Sequence, residues 1–416
     1  MEKTKSFSIP KKTVYEAWLR VKANQGAEGV DGQTIEMFES KLSMNLYKIW
    51  NQMSSGSYFP PSVKAVAIPK KDGGERILGI PTVADRVAQM TVKIHFEPLV
   101  EPHFSENSYG YRPGRSAIDA IGITRKRCWK YDWVLEFDIR KLFDRIDHEL
   151  LMRAVRKHTD CKWIILYIER WLKASFKKSD GSIELRSAGT PQGGVISPVL
   201  ANLFLHYAFD KWMEIELPLL KFCRYADDGI VHCKSEKQAL FVKDLLEKRL
   251  KACKLELHPD KTKIVYCHDD DRRSVYPNIC FDFLGYTFRP RRSKNKHGKH
   301  FINFTPAVSR KALIEMKRTI RKYKINLRSD KTLEDLSNML GSMLRGWVNY
   351  YGQYYKSALS PLFEHINLRL ERWVMRKHKR FRRKPHEARH WLGKFARNNR
   401  HLFIHWKMGI LPTTER

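Results

Sequence analysis

The stretch RYADDGIVHC, from Arg224 to Cys233, sets two adjacent carboxylates, Asp227 and Asp228, between strand-forming flanks. LLKFCRY before them and GIVHC after them are rich in β-branched, aromatic and apolar residues, and Ala-Asp-Asp-Gly is turn chemistry. The pattern predicts a β-hairpin with the carboxylates at its tip. Neighbouring side chains of a regular strand point to opposite faces, so only a bend brings both acids near one point. A third carboxylate, Asp138, ends the apolar run DWVLEFD 89 residues earlier, a separation that only tertiary structure closes. Each alone is ordinary, since an isolated Asp-Asp is most often a surface Asx turn. Together, carboxylates from two adjacent antiparallel strands can hold two Mg²⁺ ions, which keep octahedral oxygen coordination and share it with substrate phosphates. Two such ions roughly 3.5 to 4 Å apart stabilise the attacking 3′-oxygen and the leaving pyrophosphate of an in-line displacement. That chemistry is nucleotidyl transfer.

The elements that must position these acids can be read in outline. Thr13 to Ile49 shows spaced apolar positions with a turn at NQGAEGVDG, a short helical N-terminal region. SVKAVAIPKKDGGERILGIP predicts a hairpin about Asp72-Gly73-Gly74 that carries Lys64, Lys70, Lys71 and Arg76. Lys70 and Arg76 are the donors such chemistry needs around a triphosphate, although a basic turn is usually a solvated loop. Ser116 and Asp119 have capping-box spacing, which starts a helix just after Arg112 and Arg115. SAGTPQGG is a loop whose Gly193 and Gly194 either admit a nucleotide or merely shape a turn. ISPVLANLFLHYAFDKW after it reads as a helix capped by Ser197 with Pro198 at its first position. From Leu333 to Tyr351, apolar residues recur at three- and four-residue spacing, the pattern of an amphipathic helix. HDDDRRS, from His268, reads as a solvated loop with no metal.

Composition narrows the partner. The chain has 416 residues, 42% of them hydrophobic, enough for two or three cores, and its formal charge of +33 points to a polyanion. The charge is concentrated: Arg289 to Arg416 holds 32 Lys/Arg against 8 Asp/Glu. Arg376, Lys377, Lys379, Arg380, Arg382, Arg383 and Lys384 form a run whose like charges repel unless phosphates neutralise them. Tyr350, Tyr351, Tyr354, Trp373, Phe381, Trp391 and Trp406 are interleaved with these cations, a mixture suited to stacking on RNA or single strands. At helical spacing, Leu344 and Trp347 are better read as core. No apolar run approaches the roughly 18 to 20 residues that span a bilayer, and MEKTKSFSIPKK lacks a signal core, so a soluble cytoplasmic protein without a membrane partner is expected. Seven cysteines without a CxxC pair predict neither a disulfide framework nor a zinc knuckle.

YADD after FDIRKLFD and GTPQGGVISPVLANLFL resembles the palm of a reverse transcriptase. The full set of motifs resembles the group II intron-encoded reverse transcriptase/maturase family of bacteria and organelles. NQGAEGVDG is similar to its N-terminal extension, IPKKDGGERILGIPTVADRVAQ and SYGYRPGRSAIDAI to its fingers, FLGYTF to its primer grip and RGWVNYY, which contains Arg345, to its thumb or maturase signature. The likeness runs to about Trp373. It implies an α+β right-hand polymerase, with fingers and an antiparallel palm sheet followed by a helical thumb. The expected division is an N-terminal extension over 1–50, fingers and palm over 51–288, thumb/maturase over 289–375 and a basic nucleic-acid-binding extension over 376–416. The resemblance makes Asp138, Asp227 and Asp228 the catalytic metal ligands for two Mg²⁺, with Ile139 contributing at most a backbone carbonyl. Phe143 matches the aromatic gate that excludes a ribose 2′-OH, Lys70 and Arg76 match triphosphate contacts, and Gln192 matches the glutamine beside the incoming nucleotide. Lys261 in HPDKTK, or Lys263, matches a lysine that protonates pyrophosphate. Arg112, Arg115, Arg345 and the run from Arg376 to Lys384 are the candidate nucleic-acid contacts.

The implied partners are group II intron RNA, an RNA template with a DNA primer, dNTPs and target DNA. The implied setting is the bacterial cytoplasm, close to the nucleoid. Family members often continue into an HNH-type endonuclease with paired cysteines and histidines, a cluster this sequence lacks. Insertion into DNA is then expected to use another nick or a nascent strand as primer. Two further readings stand beside this one: a splicing cofactor with a vestigial polymerase, and a relative co-opted for defence, for repair synthesis or as an RNA-dependent RNA polymerase. The intact trio of aspartates with Phe143 and Gln192 favours an active DNA polymerase.

Overall fold

The computed structural model describes residues 5–69, 74–295 and 297–412. The chain forms two compact units, one from Met1–Ala120 with Val134–Ile264 and the other from Ile121–Trp133 with Val265–Arg416. Within the described residues no helix is long and apolar enough to cross a membrane.

The first unit begins with helices over Lys11–Asn24, Ile35–Glu39 and Leu42–Ser55, the last stopped by Gly56 in the left-handed region (φ 76°). Strands β1 (Val63–Pro69) and β2 (Glu75–Ile80) pair antiparallel from Lys64 opposite Ile80 to Pro69 opposite Glu75, the hairpin the sequence predicts. Its turn, with Lys70, lies outside the described residues. The Val83–Val100 helix follows, started by Thr82, whose hydroxyl accepts from the Asp85 N–H at 3.1 Å. Asp85 is fully buried, and its carboxylate accepts from Tyr58 Oη at 2.8 Å, Trp171 Nε1 at 2.7 Å and Gln89 Nε2 at 2.9 Å. Burial pushes its pKa up while these three donors pull it down. Leaving such a group unpaired would cost several kcal/mol, so the network fixes how the Tyr58 segment and the Lys162–Lys173 helix meet this one.

Strand β3 (Trp133–Asp138) leads to the helix His148–His158, capped by Asp147, and β4 (Phe176–Lys177) and β5 (Ile183–Glu184) extend the hairpin sheet in the order β2-β1-β4-β5. β6 (Lys221–Tyr225), β7 (Asp228–Cys233) and β8 (Lys263–Tyr266) complete a second sheet in the order β6-β7-β3-β8. Under it runs the helix Ser197–Leu205, which passes through a π segment, His206–Asp210, into Lys211–Glu216. Phe209 of that segment packs on Phe137 of β3 (ring centroids 5.0 Å) and Phe222 of β6 (5.1 Å). Ser197 is not the cap. The helix starts at Ser197 itself, and its hydroxyl accepts from Thr190 Oγ1 at 2.8 Å. The reciprocal cap at Ser116 and Asp119 forms as read, with Ser116 N–H donating to Asp119 Oδ2 at 2.9 Å and Asp119 N–H to Ser116 Oγ at 3.2 Å.

The second unit is an antiparallel sheet of β9 (Phe281–Phe283), β10 (Tyr286–Lys294) and β11 (His300–Val308), followed by helices over Arg310–Lys322, Leu333–Tyr351, Ser360–Lys377 and Pro385–Asn398. The described residues after Arg376 fold back onto the core of this unit. Leu392, Phe403 and Trp406 share one core with Leu336, Leu344 and Phe363, because the Ile404–Lys407 turn brings two aromatic rings back onto the Ser360–Lys377 helix. Trp373 is 2% exposed and Trp406 0%, so these rings, with buried Phe381, are core and not stacking surfaces. HDDDRRS is a clasp rather than a solvated loop: Arg272 pairs with Asp269 and donates to the Tyr131 carbonyl at 2.8 Å, and Asp270 Oδ2 accepts from the Ile302 N–H at 2.9 Å.

Buried His405 donates from Nε2–H to Asn367 Oδ1 at 2.9 Å, beside Trp406 Nε1 on the same oxygen at 2.9 Å, and it stacks on Phe363. Burial pushes its pKa down to about 3. The folded state therefore holds this ring neutral, and unfolding takes up a proton once the pH is below about 6.5. Stability should be intact above pH 6.5 and fall progressively towards about pH 3. In urea melts of the full chain, His405→Gln should be less stable than wild type at neutral pH yet lose less on acidification. Equal losses would remove His405 from the account.

Candidate active site

The hairpin tip is held from beneath. Tyr225 pairs with Asp228 at the end of β6 and β7, and Ala226 turns the chain in the left-handed region (φ 55°), which puts Asp227 in the bend and Asp228 at the first strand position. Arg224, one residue before the bend, is completely buried with Asp210. Its Nε and Nη2 donate to the two oxygens of Asp210 at 2.7 and 2.5 Å, and its Nη1 donates to Asn202 Oδ1 at 3.1 Å and to the Ala226 carbonyl at 3.0 Å. The π segment supplies the register that aims Asp210 at Arg224. From the other side Gly110 lies against the turn so closely that a Cβ would stand 2.4 Å from Ala226 N, and its carbonyl accepts from Asn202 Nδ2 at 2.7 Å.

Asp138 reaches the same place because β3 neighbours β7. Ile139 N–H donates to the Asp227 carbonyl at 3.3 Å, which ties the end of β3 to the turn. Alternation along β3 sends Phe137 to the helical side, over Gly229, where a Cβ would meet the Phe137 ring at 2.1 Å. Asp138 faces away from that side. Its Oδ2 holds Lys261 Nζ at 2.7 Å. Burial pushes the Asp228 pKa up to about 7, helped by the charges of Asp227 and Asp138 and opposed by Lys261. Asp227 is also raised, first by burial and then by Asp138, against Arg76 and Lys261.

Among the described residues no three His, Cys, Asp or Glu side chains converge as a ready metal-binding set. Asp138 is turned to Lys261 instead. The donors nevertheless fit a divalent cation: they are hard oxygens, all three are within electrostatic reach of one another, and two are half-buried, which raises the cost of their charge. Around them stand other residues singled out from the sequence. Arg76 Nε donates to Gln192 Oε1 at 2.5 Å, and the Gln192 carbonyl accepts from the Gly79 N–H at 2.7 Å, so strand β2 and the glycine loop present the pair jointly. Gly193 is required by close approach and by φ 119°, since a Cβ would lie 2.4 Å from the Gly79 carbonyl. The Phe143 ring is 8% exposed, edge-on to Tyr111 at 6.4 Å, and its carbonyl accepts from Thr190 N–H at 2.7 Å. Lys263, the alternative to Lys261, begins β8.

The expected nucleic-acid contacts divide. Arg112 is not at the surface: its guanidinium pairs with Glu101 at 2.8 Å and donates to the Ser105 and Ser108 carbonyls, which holds the loop before Gly110. Lys377 Nζ donates to the Lys331 carbonyl at 2.6 Å and so ties two helices' ends. Arg115, Arg345, Arg376, Lys379, Arg380, Arg382, Arg383 and Lys384 are exposed, with Lys384 paired to Glu387 at 3.0 Å. Sequence reading missed Arg224, Asp210 and Gly110. The available signal was an arginine inside an otherwise apolar strand, which must find a partner.

The reverse transcriptase (RNA-dependent DNA polymerase) family model matches residues 68–288, and the group II intron maturase-specific domain matches residues 313–391. Protein YkfC of Escherichia coli (strain K12) is 32% identical over 311 residues, 64% of this chain and 77% of that protein. Group II intron-encoded protein LtrA of Lactococcus lactis subsp. cremoris is 29% identical over 427 residues, 81% of this chain and 68% of that protein. The putative COX1/OXI3 intron 1 protein of Saccharomyces cerevisiae is 25% identical over 271 residues, 64% of this chain and 32% of that protein.

Arg224→Ala would leave Asp210 charged and unpaired in the core, at a cost of about 3 to 5 kcal/mol. Replacing both partners, Arg224→Met with Asp210→Leu, should recover most of that loss in urea denaturation. Primer extension by the double variant should stay impaired, since the Ala226 carbonyl then lacks its donor. Wild-type stability in Arg224→Ala would contradict the role given to this pair.

Proposed function

The chain belongs to the reverse transcriptase family and carries a group II intron maturase-specific domain, and from that premise we propose that it assists splicing of its intron RNA and copies that RNA into cDNA during retrohoming. It is an RNA-directed DNA polymerase that binds intron RNA and uses an RNA template. The proposal adds the DNA primer, the dNTPs, the target DNA and a nucleoid-associated place in the bacterial cytoplasm. The observation that carries it is the grouping of Asp138, Asp227 and Asp228 at one strand end, beside the Arg76–Gln192 pair and Phe143.

In this reading Asp138, Asp227 and Asp228 would hold two Mg²⁺ ions, with the Ile139 carbonyl as a further oxygen. When bound, the ions offset the negative charge that builds up in an in-line displacement at phosphorus. The chain's own groups do the rest. Arg76, oriented by Gln192, meets the triphosphate, a charge-assisted contact stronger than a neutral one. The Phe143 ring is assigned the exclusion of a 2′-OH by steric contact, a role its sequence position suggests. The primer 3′-hydroxyl gives its proton to water as its oxygen bonds to the α-phosphorus, the bond from that phosphorus to the bridging oxygen breaks, and the departing pyrophosphate takes a proton from Lys261 Nζ, held by Asp138 and reprotonated from water. The exposed cations from Arg376 to Lys384 and Arg345 lie in the second unit and serve the folded RNA through its backbone.

Asp138→Ala and Asp227→Ala should each reduce primer extension on an RNA template by about 100-fold or more, while RNA binding stays near wild type. Chelation of divalent cations should do the same to the wild-type protein. Asp228→Ala should still support splicing of the cognate intron, because the ribozyme has its own metals. Spliced RNA and extended primer measured on one preparation separate the two activities. Loss of both would leave a reverse transcriptase without a maturase role.

Phe143→Ala should raise rNTP use relative to dNTP in a competition assay, with dNTP extension preserved. Unchanged sugar discrimination would move the gate elsewhere.

A further inference from the structure

The helices beneath the palm-like sheet line an open cavity, of about 650 Å³, on the side to which Phe137 points and Asp138 does not. The π segment forms one wall. While it turns Asp210 inward to Arg224, it sends His206 and Tyr207 to this cavity. The opposite walls come from the ends of the His148–His158 and Glu236–Ala252 helices, with Lys157, His158 and Arg249.

Its lining is cationic and aromatic together. Lys157 Nζ sits 4.8 Å from the Tyr207 ring centroid, and Arg249 is fixed by donating to the Tyr207 and Ala208 carbonyls at 2.8 and 3.0 Å. Lys211 adds a third cation, shared with Glu214 at 3.3 Å, and Glu216 is the one acid of the lining. Trp212 and Ile215 give a planar and an apolar surface. His158 Nε2 is 2.8 Å from Tyr207 Oη, and the His103 ring stands 4.8 Å from the His158 ring. Deepest is His206, 2% exposed, whose Nδ1 has no hydrogen-bond partner. A buried ring nitrogen without a partner is costly, and a bound polar atom would remove that cost. Burial holds His206 neutral at physiological pH, with its pKa pushed down to about 4.

We propose that this cavity is a binding site for one nucleotide, with its phosphate on Lys157 and Lys211, its base against Tyr207 and Trp212, and the base edge at the His206 ring. Its size is that of small-ligand sites, and the pairing of cations with aromatic faces is how single nucleotides are held. A free nucleotide and a nucleotide extruded from a bound RNA strand present the same chemistry. Neither occupies the polymerase site, which is on the other face of the sheet.

The test uses the full chain, with AMP and a ten-residue unstructured RNA as probes in calorimetric titrations. Lys157→Gln with Lys211→Gln should weaken one or both probes by about tenfold or more, equivalent to about 1.4 kcal/mol, while primer extension on a short template stays at wild-type rates. Weakening of AMP identifies a free ligand, and weakening of the RNA alone identifies an extruded one. As a second readout, photolabelling by 8-azido-AMP should map to Tyr207 or Trp212, and His206→Leu should reduce it. Unchanged affinity for both probes, labelling elsewhere, or inorganic phosphate competing as well as AMP would overturn the proposal.

Discussion

The arrangement of the turn that carries Asp227 and Asp228 depends on one buried ion pair. Arg224 and Asp210 are both wholly enclosed, in a bidentate contact, and such a pair stabilises a fold only if its remaining donors are also satisfied. Here they are, and the satisfying groups belong to the site: the Asn202 amide and the Ala226 carbonyl. The backbone of Arg224 is used as well, since its N–H donates to the Asn107 carbonyl and its carbonyl accepts from Tyr109 N–H. One residue thereby fixes the helix beneath the sheet, the edge beside β6 and the peptide that precedes Asp227. An apolar pair of similar volume could fill the space, but it would not specify where the turn sits.

The same economy appears in the close approaches. Gly110, Gly229 and Gly193 each stand where a Cβ would meet another group at 2.1 to 2.4 Å. Gly229 lets the Phe137 ring lie over β7, which consumes the helical side of β3 and leaves Asp138 for the opposite side. Gly110 allows the SYGYRPG loop to press on the turn, and Arg112 is spent on holding that loop in place. Position, more than side-chain reach, assembles the acids.

What the sequence made legible were features with local causes. The YADD bend, the β1–β2 hairpin, the Ser116–Asp119 cap and the Leu333–Tyr351 helix follow from turn chemistry and periodicity over a few residues. The acids' proximity was legible only through the ensemble of motifs. What escaped depended on distant partners. Arg112 and Lys377 look like phosphate contacts until the carbonyls they serve are seen, and Trp373, Phe381 and Trp406 look like stacking rings until the chain's return onto the Ser360–Lys377 helix buries them. The π segment was hidden because a helix of constant period would aim Asp210 differently, and a single inserted residue leaves no mark on composition. HDDDRRS was misread for the same reason: its partners, the Tyr131 carbonyl and Ile302, lie far off in the sequence.

Strand β2 and the glycine loop share a backbone hydrogen bond, from Gly79 to Gln192, and a contact too close for any side chain. The loop is also fastened further along, where Val195 N–H donates to Gln89 Oε1 at 2.8 Å, and Gln89 in turn donates to Asp85. These links make the arginine-bearing strand and the loop a single lever whose fulcrum is the buried Asp85 network. Any load placed on Arg76 therefore passes to the hydrophobic interior of the unit, and the stiffness of that interior sets how far the guanidinium can travel.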